Sequence, residues 1–234
     1  MTTFSYSTDA ASAVRTGVLV LPVFQGPEPG PGVREVGLAQ AYRDARLTGK
    51  LGETLLVTRR DRDRFEAGAV LLVGVGPKGS FDVTRLRRSL GRVASGLTRF
   101  GTVATTFPQA LGARHAADAV QAAAEGIALG AYRFDRYKTK GNGGGALSRV
   151  RILGSSRWPA APARAAVKHG QIVSEAVAWA RDLVNTPAGD LLPRSSRARR
   201  SGWLAGSACA ARFGGGPSSS AAASGGSSGW ARAA

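Results

Sequence analysis

The chain has 234 residues, with 32 Lys and Arg against 15 Asp and Glu, for a formal net charge of +17. A single cysteine, Cys209, excludes an intramolecular disulfide and fits a reducing compartment. Residues 1–9 lack the basic start of a secretory signal, and the apolar run 18–24 is far too short to span a bilayer, so no membrane segment and a cytoplasmic location are expected.

In chain order, β-rich runs at residues 18–21, 54–57, 69–75, 101–106 and 149–153 alternate with helical patterns. Several of these runs are continuously apolar, which suits strands buried on both faces of an α/β sheet. Residues 25–32, with three Pro and three Gly, read as a loop, as does the glycine cluster 141–145. A first helix is predicted over 83–99, capped by Asp82, with Val83, Leu86, Leu90, Val93 and Leu97 forming one apolar stripe. An Ala-rich second helix is predicted over 115–131. A third spans 163–184, with Val173, Ala176, Val177, Ala180 and Val184 as its buried stripe and Thr186-Pro187 as its stop. Strands separated by helices imply right-handed crossovers and a three-layer sandwich.

Residues 194–234 differ from everything before them. They contain 11 Ala, 10 Ser, 8 Gly and 6 Arg in 41 positions, and no Asp, Glu, Lys, Val or Ile. So few large apolar side chains cannot offset the entropy of ordering the segment, and it is expected to be disordered. It reads as GC-rich DNA translated out of frame, so a frameshift near Pro193 is the expectation. The alternative is an Arg/Ser/Gly-rich nucleic-acid-binding tail. Removing its six arginines leaves 26 basic against 15 acidic residues, so the body is basic in its own right.

Four features invite a functional reading. Gly74-Val75-Gly76-Pro77-Lys78-Gly79 matches G-x-G-x-x-G after a strand. A dinucleotide site also needs a helix starting within the motif and an acidic residue about 20 positions on. Pro77 intervenes, and residues 83–117 hold no acid, so a strand-end turn is the plainer reading. Arg85, Arg88, Arg92 and Arg99 fall within roughly 60° of arc opposite the leucine stripe. They form either a solvated face or a ridge for nucleic-acid phosphates. His115 and His169 are the only histidines, and neither has a partner at zinc-ligand spacing. Ser195 and Ser196 have no base partner.

The segment Ala180-Arg181-Asp182-Leu183-Val184-Asn185-Thr186-Pro187-Ala188-Gly189-Asp190-Leu191-Leu192-Pro193 resembles the opening of the catalytic domain in the leucyl (cytosol) aminopeptidases, the M17 metallopeptidases. Glu125-Gly126-Ile127-Ala128-Leu129-Gly130-Ala131-Tyr132-Arg133-Phe134-Asp135-Arg136-Tyr137-Lys138-Thr139 resembles a helix-to-loop segment late in that family's N-terminal domain. Gly49-Lys50-Leu51-Gly52-Glu53-Thr54 and Val73-Gly74-Val75-Gly76 are shorter matches in the same order.

The resemblance covers residues 1–193. It implies a macro-like α/β domain, a mixed central sheet flanked by helices, over 1–158. It implies a helix bridging to the catalytic domain over 159–193, and leaves 194–234 as an unrelated tail. Macro-like folds also raise an ADP-ribose-type ligand as an alternative. The parent activity implied is release of N-terminal residues from peptides by two manganese or zinc ions held by Asp, Glu and Lys, in a homohexamer; some members also bind DNA. The family's Lys-Gly-x-x-Phe-Asp and Asn-Thr-Asp-Ala-Glu-Gly-Arg ligand segments do not occur in this sequence. No residue here therefore receives a catalytic or metal-ligand role. The expectations are a truncated chain without cofactor, peptidase activity or a stable hexamer, and at most weak DNA binding through the arginine ridge.

Overall fold

The computed structural model describes residues 2–26, 28–60, 64–138 and 145–190. The expected tail at 194–234 and most of the glycine cluster at 141–145 lie outside the described residues. The strands are β1 (Thr3–Ser7), β2 (Val18–Phe24), β3 (Glu28–Pro29), β4 (Thr54–Thr58), β5 (Ala69–Gly74), β6 (Thr102–Thr105) and β7 (Arg149–Leu153). They form one mixed sheet in the order β1-β7-β6-β2-β5-β4, with β3 on the end of β2. The pairs from β1 through to β5 are parallel, while β4 runs antiparallel to β5 and β3 to β2. Central β2 is buried at all seven positions, which is why its sequence is a continuous apolar run with no alternation. Edge strand β4 alternates instead, with Thr54, Leu56 and Thr58 exposed. The pattern at β1, Thr-Phe-Ser-Tyr-Ser, is only half-buried; this strand was not foreseen and is held by its parallel pairing with β7.

The two faces of the sheet are covered differently. One carries three long helices, α2 (Val83–Leu97), α3 (Ala116–Gly130) and α4 (Ala160–Asn185), with α3 between the other two. The opposite face is covered by coil contributing Val14, Val33, Val36, Leu47 and Phe65, and by the short α1 (Ala41–Asp44), which buries Tyr42. Asp82 caps α2 as expected: its carboxylate accepts from the Arg85 backbone N–H at 2.7 Å.

Small residues let the helices approach closely. A Cβ at Gly126 would sit 2.6 Å from the Arg87 carbonyl oxygen, and one at Gly130 would strike the Gly91 carbonyl oxygen. The Ala-rich run of α3 is the same device, since a helix flanked on both sides and backed by a sheet is buried nearly all round.

The predicted stripe of α4 requires correction. The buried residues are Ala163, Ala166, Val167, Gly170 and Ser174, whereas Val173 and Val184 are 41% and 85% exposed. Ala180 is exposed too, and Ala176 and Val177 are half-buried. At 3.6 residues per turn the predicted stripe lies roughly 90° around the helix from the covered one. Helix α4 thus has two small-residue faces, and α3 and β1 cover only one of them.

Candidate functional site

The first three amides of the glycine-rich turn after β5 are engaged. The Gly74 amide donates to the Glu53 carbonyl (2.8 Å) and the Gly76 amide to the Gly49 carbonyl (2.9 Å), while the Gly76 carbonyl accepts from Gln25 (2.9 Å). Gly76 has φ +81°, the left-handed conformation that glycine adopts without cost. Lys78 pairs with Glu28 at 2.5 Å, and α2 begins only after the acidic Asp82 cap. With the Gly74, Val75 and Gly76 amides given to backbone carbonyls and the helix starting beyond the motif, the motif is a strand-end turn. Phe24, Phe81 and Phe107 fill the nearby carboxyl ends of the central strands, the place where open α/β sheets bind ligands, with ring centroids 5.5 and 6.4 Å apart.

The four ridge arginines do not act alike. Arg85 is half-buried and donates from Nη1 to the Ser80 hydroxyl. Arg88 is exposed. Arg92 and Arg99 border a cavity of about 330 Å³ between α2 and the β4–β5 edge, lined also by Ser89, Thr54, Leu71 and Phe100. Arg99 lies over the Phe100 ring, 4.8 Å from its centroid. Among the described residues no carboxylate forms an ion pair with any of the four. Arg87, one position off the ridge, sits 2.7 Å from the buried Glu125 carboxylate.

The two long signature blocks meet in space. The Tyr132 hydroxyl donates to Asp182 at 2.6 Å, and Arg181 donates from Nη1 to the Leu129 carbonyl at 3.0 Å while lying over the Tyr132 ring. Tyr137 donates to Asp190 at 2.5 Å, and the Thr186 hydroxyl donates to the Asp182 carbonyl, closing the end of α4. Burial, and then the Asp182 hydrogen bond, raise the Tyr132 pKa above its ordinary 10.0. Arg181 and Asp182 therefore fasten α4 to the end of α3. Tyr132, which sequence reasoning did not single out, organises the junction; its signal was its place inside a signature block. Beside it, a second cavity of about 390 Å³ is lined by Tyr132, Ser174 and Glu175, among others, and burial raises the Glu175 pKa.

His115 and His169 are both exposed, His115 before α3 and His169 on α4. Among the described residues, no group of three His, Cys, Asp or Glu could hold a metal ion.

Residues 20–141 match the N-terminal domain of the cytosol aminopeptidase family. The chain belongs to the cytosol aminopeptidase family. A probable cytosol aminopeptidase of Streptomyces avermitilis is 36% identical over 83% of this chain and 41% of its own length. One from Rhodococcus jostii is 36% identical over 73% of this chain and 33% of its own length. The chain thus spans well under half the length of these relatives. Among solved structures, the bottromycin maturation enzyme BotP in complex with Mn superposes with TM-score 0.61 at 28% identity, covering 81% of this chain and 36% of BotP. A mutant tomato leucine aminopeptidase gives TM-score 0.69 at 19% identity, over 88% of this chain and 42% of that one, and shares the fold. The α/β architecture and the family expected from the sequence both stand. Among the described residues, no helix is long and apolar enough to cross a membrane.

Proposed function

We propose that this chain is the accessory N-terminal domain of a cytoplasmic, metal-dependent aminopeptidase, and that α4 is the element by which it meets the catalytic domain. The observation that carries this reading is the exposure, among the described residues, of Val173, Ala180 and Val184 on α4, beside the Tyr132–Asp182 junction that joins both family signatures. A helix keeps an apolar stripe in water when another surface covers it in the assembled protein. The whole enzyme would release N-terminal residues from peptides with two divalent metals, manganese or zinc, and assemble as a hexamer. This chain by itself holds neither metal-ligand segment of the family. Without a metal pair no water is activated and no oxyanion is stabilised, so the chain alone is silent. The test is hydrolysis of a leucyl chromogenic substrate by the purified chain with excess manganese or zinc, made in a host lacking its own aminopeptidase. Metal-dependent turnover that co-purifies with the chain overturns the inactive assignment.

A second reading rests on the exposed charge of Arg88, Arg92 and Arg99, which no carboxylate among the described residues pairs: a weak contact for nucleic-acid phosphates. Replacing Arg88 and Arg92 by Ala should lower the salt slope of DNA binding by about two. An unchanged slope removes this reading.

A further inference from the structure

The cavity beside α2 has a composition that neither reading uses. It forms because α2 runs over the inner strands while edge strand β4 lacks a helix of its own, which leaves Thr54 on an open shelf next to Leu71 of β5. Arg92 reaches across toward the shelf, with Nη1 3.1 Å from where a Cβ of Gly52 would stand. Arg99 closes the far end, held against Phe100. Ser89 lines the cavity but is only 2% exposed, so it closes the floor without presenting its hydroxyl to the space. Among the described residues, no acidic side chain lines the space. The neighbouring Glu53 is folded back: it accepts from the Thr48 hydroxyl at 2.7 Å and from the Thr48 and Gly49 amides. The hydroxyl contact holds its carboxyl below the usual range.

We propose that this cavity binds a small phosphomonoester bearing an apolar group, with Arg92 and Arg99 at its rim as the partners of the phosphate. Two guanidinium forks match the charge and oxygen geometry of a dianionic phosphate. Phe100 and Leu71 supply an apolar wall. At about 330 Å³ the cavity is at the small end of ligand pockets, and inorganic phosphate alone would leave most of it empty. The proposal is independent of the aminopeptidase reading. It also differs from the nucleic-acid reading, because a backbone phosphodiester carries one charge and needs no enclosed apolar wall.

The experiment is an amide chemical-shift titration of the full chain with phenyl phosphate, inorganic phosphate and a short oligothymidylate. Site-resolved shifts separate this cavity from the six arginines at 194–234. The expected result is saturable shifts at Gly52, Thr54, Ser89 and Gly96 with phenyl phosphate, at lower concentration than with inorganic phosphate. Arg92→Ala should weaken binding roughly ten- to a hundredfold. Gly96 lines the cavity, and a Cβ there meets nothing within 4 Å. Gly96→Glu should therefore place a carboxylate between the two arginines and abolish binding while keeping the helix at least as stable. Absence of saturable shifts with phenyl phosphate overturns the proposal. So does wild-type binding by Gly96→Glu, or a response of these amides to oligothymidylate alone.

Discussion

Helices α2 and α4 lie on the same face of the sheet, both amphipathic in sequence, yet only α2 buries the stripe its periodicity marks. In α2, Leu86, Leu90 and Leu97 are fully buried, with Val83 and Val93 packed at the margin. In α4, Val173 and Val184 face outward, while Ala163, Ala166, Val167, Gly170 and Ser174 are buried. The difference is one of neighbours. Both helices approach α3 closely through glycines, but α2 also has the sheet beneath its leucines, whereas α4 presents mostly small side chains to α3. A Cβ at Gly170 would stand 2.9 Å from both the Ala124 Cβ and the Gln121 carbonyl oxygen. Close contact selects small residues, so Val173 and Val184 of α4 are left for whatever else covers them.

The sharpest way to break this comparison is to block close approach itself. Gly170→Val should cost about 3 kcal/mol, because the obstacle includes the Gln121 backbone carbonyl of α3, which cannot rotate away. Urea unfolding measures this, and a loss below 1 kcal/mol would mean the helices separate cheaply. Next in size is a matched pair. Leu90→Ala should cost about 3 kcal/mol, and Val184→Ala less than about 0.5 kcal/mol. Equal losses would show that the α4 stripe is covered within this chain. Tyr132→Phe removes the Asp182 hydrogen bond and should cost about 1 kcal/mol. Because the folded pKa of Tyr132 is raised, its contribution is present below pH 10 and lost as pH rises past its folded value. The variant's deficit should therefore shrink in strong alkali; a constant deficit would refute the hydrogen-bond account.

The smallest effect concerns Glu175. Burial raises its pKa, so the neutral form is the stabilising one, and that stability is full below about pH 4.5 and lost as pH rises. Glu175→Gln should therefore raise the melting temperature at pH 7, with the gain vanishing in acid. A gain that is the same at both pH values, or no gain at all, would assign the effect to something other than ionisation.

Much of this molecule is written locally. The continuous apolar runs of β2 and β5, the Asp82 cap, the leucine stripe of α2 and the Gly76 turn follow from short-range rules of burial, capping and backbone freedom. Each could be read without knowing what lies opposite. The signature blocks named the family without revealing that they touch through Tyr132 and Asp182, residues 50 positions apart. Three features came only from tertiary structure. Strand β1 carries only the short alternation of Phe4 and Tyr6, and it is the parallel pairing with β7 that fixes it as a strand. The arginine ridge, uniform at 100° per residue, divides into Arg85 tied to Ser80, Arg88 in solvent, and Arg92 with Arg99 around a cavity, because β4 ends the sheet beneath only part of the helix. The buried face of α4 was chosen by its neighbour. Periodicity tells a helix where its apolar atoms are, but burial is a property of pairs of surfaces, and which surface arrives is decided by the rest of the chain.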